Sequence, residues 1–155
     1  MRIIGGKFKN KKIYFPKNFK TRPLKDNVRE NIFNILLHSN IIDINFENLN
    51  VLDLYAGSGS FGIECLSRGA SNVIFVEKDL DALLNLKKNI ISINLSKNSK
   101  IISNDIDVFF NAITLENKKK FNIIFFDPPY TDKSFINYFK VIKEKGLLDK
   151  KHILI

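Results

Sequence analysis

Val51-Leu52-Asp53-Leu54-Tyr55-Ala56-Gly57-Ser58-Gly59 is the stretch that decides the fold of this 155-residue chain. An apolar strand over 51–55 runs into a glycine turn, and a helical pattern over 60–68 follows at once, closed by Gly69 where a left-handed residue is wanted. Downstream the alternation repeats. Strands are predicted over 73–77, 100–103 and 121–126, with helices over 80–93, 106–112 and 134–145, the last ended by Gly146. A strand begins near residue 152. Continuous apolar strands separated by amphipathic helices imply a parallel sheet covered on both faces, a Rossmann-like α/β three-layer sandwich. Ligands in such sheets sit beyond the carboxyl ends of the strands, near the point where strand order reverses. Asp53, Gly57, Gly59, Glu77, Asp105 and Asp127 all fall there.

Upstream of this core, residues 2–8 and 12–15 alternate enough to form a hairpin, with Asn10 suited to positive φ in its turn. Gly5-Gly6 suggests a bulge or a close backbone approach. Thr21-Arg22-Pro23 reads as extended, because the residue before proline avoids the helical region. Asp26 is placed to cap a helix running to about His38, with Val28, Ile32, Ile35 and Leu36 as its buried stripe.

Twenty-five Lys and Arg against 16 Asp and Glu give a formal charge of +9, which points to a polyanionic partner. Between Met1 and Lys25 stand Arg2, Lys7, Lys9, Lys11, Lys12, Lys17, Lys20, Arg22 and Lys25, without one acid. That one-signed segment is the footprint of phosphate contact. Lys118-Lys119-Lys120 is either a second patch or a solvated loop. A single cysteine, Cys65, excludes a disulfide framework and a Cys-based metal site. It is expected to be a buried, inert thiol. His38 and His152 lack ligand spacing, so no metal is expected. No signal peptide and no membrane-spanning run are seen, and cytoplasm is the default. Most of the 14 Phe should be core.

Gly57-Ser58-Gly59-Ser60-Phe61-Gly62 fits the dinucleotide pattern G-x-G-x-x-G, but Asp53 one turn away would repel a pyrophosphate. S-adenosyl-L-methionine has no phosphates and carries a sulfonium and an ammonium, so Asp53 favours it. Glu77 is placed to accept from ribose hydroxyls of either cofactor. Asp105 is either a helix cap or a partner for an adenine amine. After the strand at 121–126 comes Asp127-Pro128-Pro129-Tyr130. The Asp127 carboxylate and the Pro128 carbonyl form a pre-organised pair of acceptors for an exocyclic amine, and Tyr130 is suited to stack on its ring. A base within a helix must be unpaired or flipped out to reach them. Nothing in that turn separates guanine from adenine.

Arg2-Ile3-Ile4-Gly5-Gly6-Lys7-Phe8, Thr21-Arg22-Pro23 with Asp26, Val28-Arg29-Glu30 and Phe33-Asn34-Ile35-Leu36, the glycine turn, Ser67-Arg68-Gly69-Ala70 and Asp127-Pro128-Pro129-Tyr130 together resemble the RsmD-type family. Its members methylate the N2 amine of a guanine in 16S ribosomal RNA, of the guanine 966 type. The resemblance spans essentially the whole chain. It implies a class I methyltransferase sandwich using S-adenosyl-L-methionine, with an N-terminal hairpin over 1–25 that holds RNA and a catalytic domain over 26–155. The implied catalytic residues are Asp127, Pro128 and Tyr130. Asp53, Tyr55, Gly57, Gly59, Glu77 and Asp105 would bind cofactor; Arg2, Lys7, Arg22 and Pro129 would bind substrate. The implied partner is the small ribosomal subunit, met by a monomer without membrane or metal. The family's closing helix and antiparallel strand pair are expected to be missing, leaving a bare apolar edge. An adenine-N6 methyltransferase and an inactive RNA-binding remnant are the competing readings.

Overall fold

A computed structural model describes residues 1–16, 24–40, 42, 44–114, 116–129, 132 and 134–155. After an N-terminal segment come α1 (Asp26–His38), β1 (Asn50–Leu54), α2 (Ser60–Ser67), β2 (Asn72–Glu77) and α3 (Leu80–Ser92). A 3-10 turn at Ser96–Asn98 leads to β3 (Ser99–Ser103), α4 (Ile106–Asn111), β4 (Phe121–Phe126), α5 (Phe135–Glu144) and β5 (Leu148–Leu154). The sheet has the order β3-β2-β1-β4-β5 with every pairing parallel. Strand order therefore reverses between β1 and β4, and Asp53 pairs in register with Phe125 there. This is the doubly wound arrangement the alternation implied.

Period-two alternation along the central strands divides the core. Val51, Val73, Phe75, Ile123 and Phe125 pack with α1, α2 and α3 on one face. Leu52, Leu54, Val76 and Ile124 pack with α4 and α5 on the other. Stacked rings cross the first core: Phe125 lies 3.9 Å from Phe61, and Phe61 lies 5.2 Å from Phe33, centroid to centroid. Asp53 shares the face of Val51, so the same alternation delivers its carboxylate beneath α2.

The N-terminal segment folds back on itself with little regular ladder. Its ladder is one antiparallel bridge, Arg2 with Lys12, beside backbone bonds from Ile3 N to the Lys11 carbonyl and from Asn10 N to the Ile3 carbonyl. Asn10 has the expected positive φ, 70°. Besides this pairing, which also includes Ile13 N to the Met1 carbonyl at 3.0 Å, the segment docks on α2. Ile3 and Ile13 are buried in the main core. Lys7 N donates to the Ser67 carbonyl at 2.7 Å. Gly6 (φ 73°) lies so close to that carbonyl that a Cβ would collide with it, which is the close approach the Gly5-Gly6 pair implied.

Two expectations about α1 are corrected. Asp26 is its first residue rather than its cap; Lys25 occupies the cap position without a side-chain bond. The buried stripe is Arg29, Phe33 and Leu36, while Val28 and Ile35 are exposed. Arg29 turns inward to donate to the Arg2 carbonyl and Asp26 and to lie 3.9 Å from Glu64 of α2, contacts that apolar periodicity does not register. The β5 edge also differs from the expected apolar run, since Lys150, Lys151 and His152 are exposed along it. Among the described residues no helix is long and apolar enough to cross a membrane.

Candidate active site

Beyond the carboxyl ends of β1 and β4 lies a narrow cleft with a cavity volume of about 50 Å³. Asp53, Tyr55, Gly57, Ser58, Phe125 and Asp127 line it, together with Phe15 and Leu24 from the two sides of the N-terminal region. Two strand ends far apart in sequence thus meet in one place, joined by Phe15 and Leu24, which strand-end placement did not include. Tyr130 and Arg22 lie outside the described residues.

Asp53 is buried and its Oδ2 accepts from Gly62 N at 3.0 Å. Burial pushes its carboxyl well above the ordinary range, and the charges of Asp127 and Glu77 push it further. The glycine turn is held open above it. Gly59 (φ 82°) occupies the cap position of α2, where a Cβ would strike the Leu86 side chain. The Ser58 hydroxyl is buried against the cleft without a hydrogen-bond partner. A buried polar atom on a cleft wall is the kind of group a ligand satisfies.

Glu77 ends β2 and is already engaged. Its Oε2 accepts from Gly57 N at 2.7 Å, and its Oε1 accepts from Lys78 N and Asp79 N at 2.8 Å each. It fastens the glycine turn to the neighbouring strand, and about one of its four acceptor sites is left for a ligand. Asp105 caps α4 by accepting from Asp107 N and pairs with Lys78 Nζ at 2.7 Å. That hydrogen bond from Lys78 holds its carboxyl below the usual range.

Asp127 follows β4. Its side chain reaches solvent on one side, while the protein wall on the other lifts its carboxyl above the ordinary value by partial desolvation. The next turn is folded back: Asp132 N donates to the Pro129 carbonyl at 2.8 Å, and Asp132 Oδ1 accepts from Ser134 N and the Ser134 hydroxyl. The Tyr55 hydroxyl donates to Asp132 Oδ2 at 2.6 Å. Tyr55, in the left-handed region at φ 59°, therefore ties the glycine loop to the turn bearing Asp127. Its phenol pKa is raised, first by burial and then by that carboxylate.

Sequence reasoning missed Phe15, Leu24, Asp132, Asn89 and Glu64. Glu64 carried a readable signal, as the one acid within the otherwise apolar Phe61-Gly62-Ile63-Glu64-Cys65-Leu66. It accepts from Ile4 N, Gly5 N and Arg68 Nε and docks the N-terminal segment. Asn89 stands on the buried stripe of α3 with Ala82, Leu83, Leu86 and Ile90. Arg2 and Lys7 are exposed on the docked segment, and Lys7 and Lys11 flank the Phe8 ring at 5.7 and 5.3 Å. Cys65 is buried, and burial raises its thiol well above the usual value. Among the described residues no three His, Cys, Asp or Glu converge as metal ligands.

A parallel sheet ordered 3-2-1-4-5, with a glycine turn and a carboxylate facing each other at its switch point, defines a Rossmann-like methyltransferase fold. A solved Escherichia coli protein titled "Putative methyltransferase yhhF" superposes on 99% of this chain and 78% of its own, with a TM-score of 0.81 at 27% identity. The family described as Conserved hypothetical protein 95 matches residues 1–155, and the chain belongs to it, the RsmD-type family. The chain is 34% identical over 158 residues to "Putative rRNA methyltransferase YlbH" of Bacillus subtilis, covering 98% of this chain and 82% of that one. It is 31% identical over 150 residues to Ribosomal RNA small subunit methyltransferase D of Escherichia coli K12, covering 96% and 69%.

Proposed function

We propose that this protein transfers a methyl group from S-adenosyl-L-methionine to the exocyclic N2 of a guanine in 16S ribosomal RNA of the small subunit. The observation that carries the reading is the acidic cleft itself. Asp53 and Asp127 line it, and Glu77 stands close enough to push the Asp53 carboxyl up, in a chain whose net charge is +9. Such a cleft rejects a phosphate-bearing cofactor and favours a cation, while the surrounding basic surface favours a polyanion. The names of the two ribosomal RNA relatives support the substrate class.

The residues present fit the cofactor. Burial and the neighbouring carboxylates raise the Asp53 carboxyl above its ordinary range, and an ammonium or sulfonium beside it would draw it back down. The unpartnered Ser58 hydroxyl supplies a polar contact, and Glu77 Oε2 retains acceptor capacity toward a ribose. When bound, the cofactor supplies an electrophilic methyl carbon on a sulfonium.

The chain's own residues do the rest. Asp127 and the Pro128 carbonyl each accept one hydrogen of the amine, which pyramidalises the nitrogen and directs its lone pair into the cleft. Tyr130 stacks on the base. Asp127 stabilises the positive charge that develops on nitrogen as the methyl arrives, and the displaced proton leaves across the solvent-facing side of that carboxylate. Tyr55 and Asp132 keep the turn against the glycine loop. Residues 1–25 serve as the RNA-holding extension, with Arg2, Lys7 and Arg22 on phosphates, and residues 26–155 form the catalytic domain.

Transfer of a labelled methyl from S-adenosyl-L-methionine to unmodified small ribosomal subunits, followed by nucleoside analysis, tests the reading. N2-methylguanosine is the expected product. N6-methyladenosine would overturn the base assignment, and no label in any nucleoside would overturn the reaction. In Asp127→Ala, transfer should fall by about 10²- to 10³-fold with cofactor affinity largely kept.

A further inference from the structure

We propose that Asn89 couples the RNA-holding N-terminal segment to the glycine loop, so that RNA and cofactor bind cooperatively. The inference rests on the function proposed above and names a positioning residue for it. Asn89 is fully buried on α3, and its side chain grips two separate walls of the cleft. Its Oδ1 accepts from Tyr14 N at 2.8 Å and its Nδ2 donates to the Tyr14 carbonyl at 3.0 Å. The amide thereby pairs with residue 14 as a neighbouring strand would. The same Nδ2 donates to the Ser58 carbonyl at 3.0 Å.

Both gripped residues adjoin or form the cleft. Ser58 lines it directly, and Tyr14 precedes Phe15, which lines the opposite wall. The outer face of the segment carries the exposed Lys11 and Lys12, and Lys88 of α3 sits 3.8 Å over the Tyr14 ring. An RNA that orders residues 11–16 therefore acts, through one short amide, on the carbonyl of a cofactor-loop residue. The converse path is the same path. Linkage requires the two effects to be equal: if RNA raises cofactor affinity by a factor, cofactor raises RNA affinity by that factor.

Pairing with Tyr14 alone uses the amide's acceptor and one hydrogen of its donor, and the bond to Ser58 uses the other. A residue that only filled space on the stripe of Ala82, Leu83, Leu86 and Ile90 would be apolar. The donor is what joins the two, because the same Nδ2 reaches both the Tyr14 and the Ser58 carbonyls.

The test is calorimetric binding of S-adenosylhomocysteine, alone and with the protein saturated by unmodified small ribosomal subunits. In the unsubstituted protein the affinity should rise by about fivefold or more on adding subunits. Asn89→Ala should bring that ratio below about twofold. Asn89→Asp keeps the shape and the acceptor for Tyr14 N but removes the donor to both the Ser58 and Tyr14 carbonyls, and should lose the coupling as well. A purely structural Asn89 would lower stability and both affinities without changing their ratio. Equal ratios in all three proteins, or a ratio of one in the unsubstituted protein, would overturn the inference while leaving the proposed function intact. Absence of S-adenosylhomocysteine binding altogether would overturn both. Hydrogen exchange needs no variant: the cofactor product should slow exchange of the Tyr14 amide, whose acceptor is Asn89, and unchanged exchange there would count against the coupling.

Discussion

Replacing Glu64 by alanine should remove about 4 kcal/mol of folding stability. Glu64 is fully buried, and its carboxylate accepts from Ile4 N at 2.8 Å, Gly5 N at 2.7 Å and Arg68 Nε at 2.9 Å. Arg29 Nε lies 3.9 Å from it on a side chain that is equally buried. Truncation strands two backbone donors at about 1–3 kcal/mol each. It also leaves Arg29, whose pKa burial already lowers, with Asp26 as its remaining carboxylate neighbour. Asp26 is half exposed and 3.0 Å away, so part of the charge stays compensated and the loss belongs in the middle of the range of about 3–5 kcal/mol for breaking a buried pair. At roughly 2–4 °C per kcal/mol for a chain of this size, the midpoint should fall by about 12 °C. Urea unfolding followed by circular dichroism measures the loss. Glu144→Ala serves as the control, because Glu144 meets Lys140 at 3.8 Å on an exposed face and should change stability by less than about 0.5 kcal/mol. A Glu64→Ala loss no larger than the control would mean that water already serves the Ile4 and Gly5 amides. The docking of the N-terminal segment on α2 would then be wrong.

Three further outcomes follow from the same geometry. The carboxyl of Asp53 is raised by folding, so the native state holds a proton that the unfolded chain releases above its ordinary pKa of 3.8, and stability is lost as pH rises from there through the folded value; Asp53→Asn should flatten that part of a melting-temperature profile and weaken cofactor binding at neutral pH, whereas an unchanged slope would refute the burial argument. Gly6→Ala should cost about 2 kcal/mol or more, since it forces a side chain at φ 73° against the Ser67 carbonyl, and urea unfolding should show it. Tyr55→Phe should lower the methyl-transfer rate about tenfold while changing stability by about 1 kcal/mol, because it frees Asp132 and the Asp127 turn without opening the core; unchanged single-turnover kinetics would dismiss the tie.

The parts of this structure that were legible are those coded locally. Strand β4 is a run of Phe121, Ile123, Ile124 and Phe125 that only a two-sided burial satisfies, and Gly59 and Gly69 mark turns by backbone conformation alone. Asp53 and Asp127 could be placed together because strand-end position in a parallel sheet is itself a coordinate. What escaped was coded between elements. Arg29 reads as a surface residue until the N-terminal segment and Glu64 of α2 come beside it, and Val28 and Ile35 are exposed while Leu36 of the expected stripe is buried. Asn89 and Tyr14 lie too far apart in sequence for any period to connect them. Phe15 looked like the end of a hairpin strand and proves to be a wall of the cleft. The charge balance was also incomplete as a clue. It pointed to a polyanion, yet the cleft gathers carboxylates and calls for a cation, so the molecule presents two surfaces of opposite preference. Among the described residues, the N-terminal segment bears on both, with Lys7, Lys11 and Lys12 facing solvent and Phe15 facing the cleft. Under the proposed function, bringing a polyanionic substrate to a cationic cofactor needs such a bridge, and Glu64 and Asn89 are side chains that hold it in place.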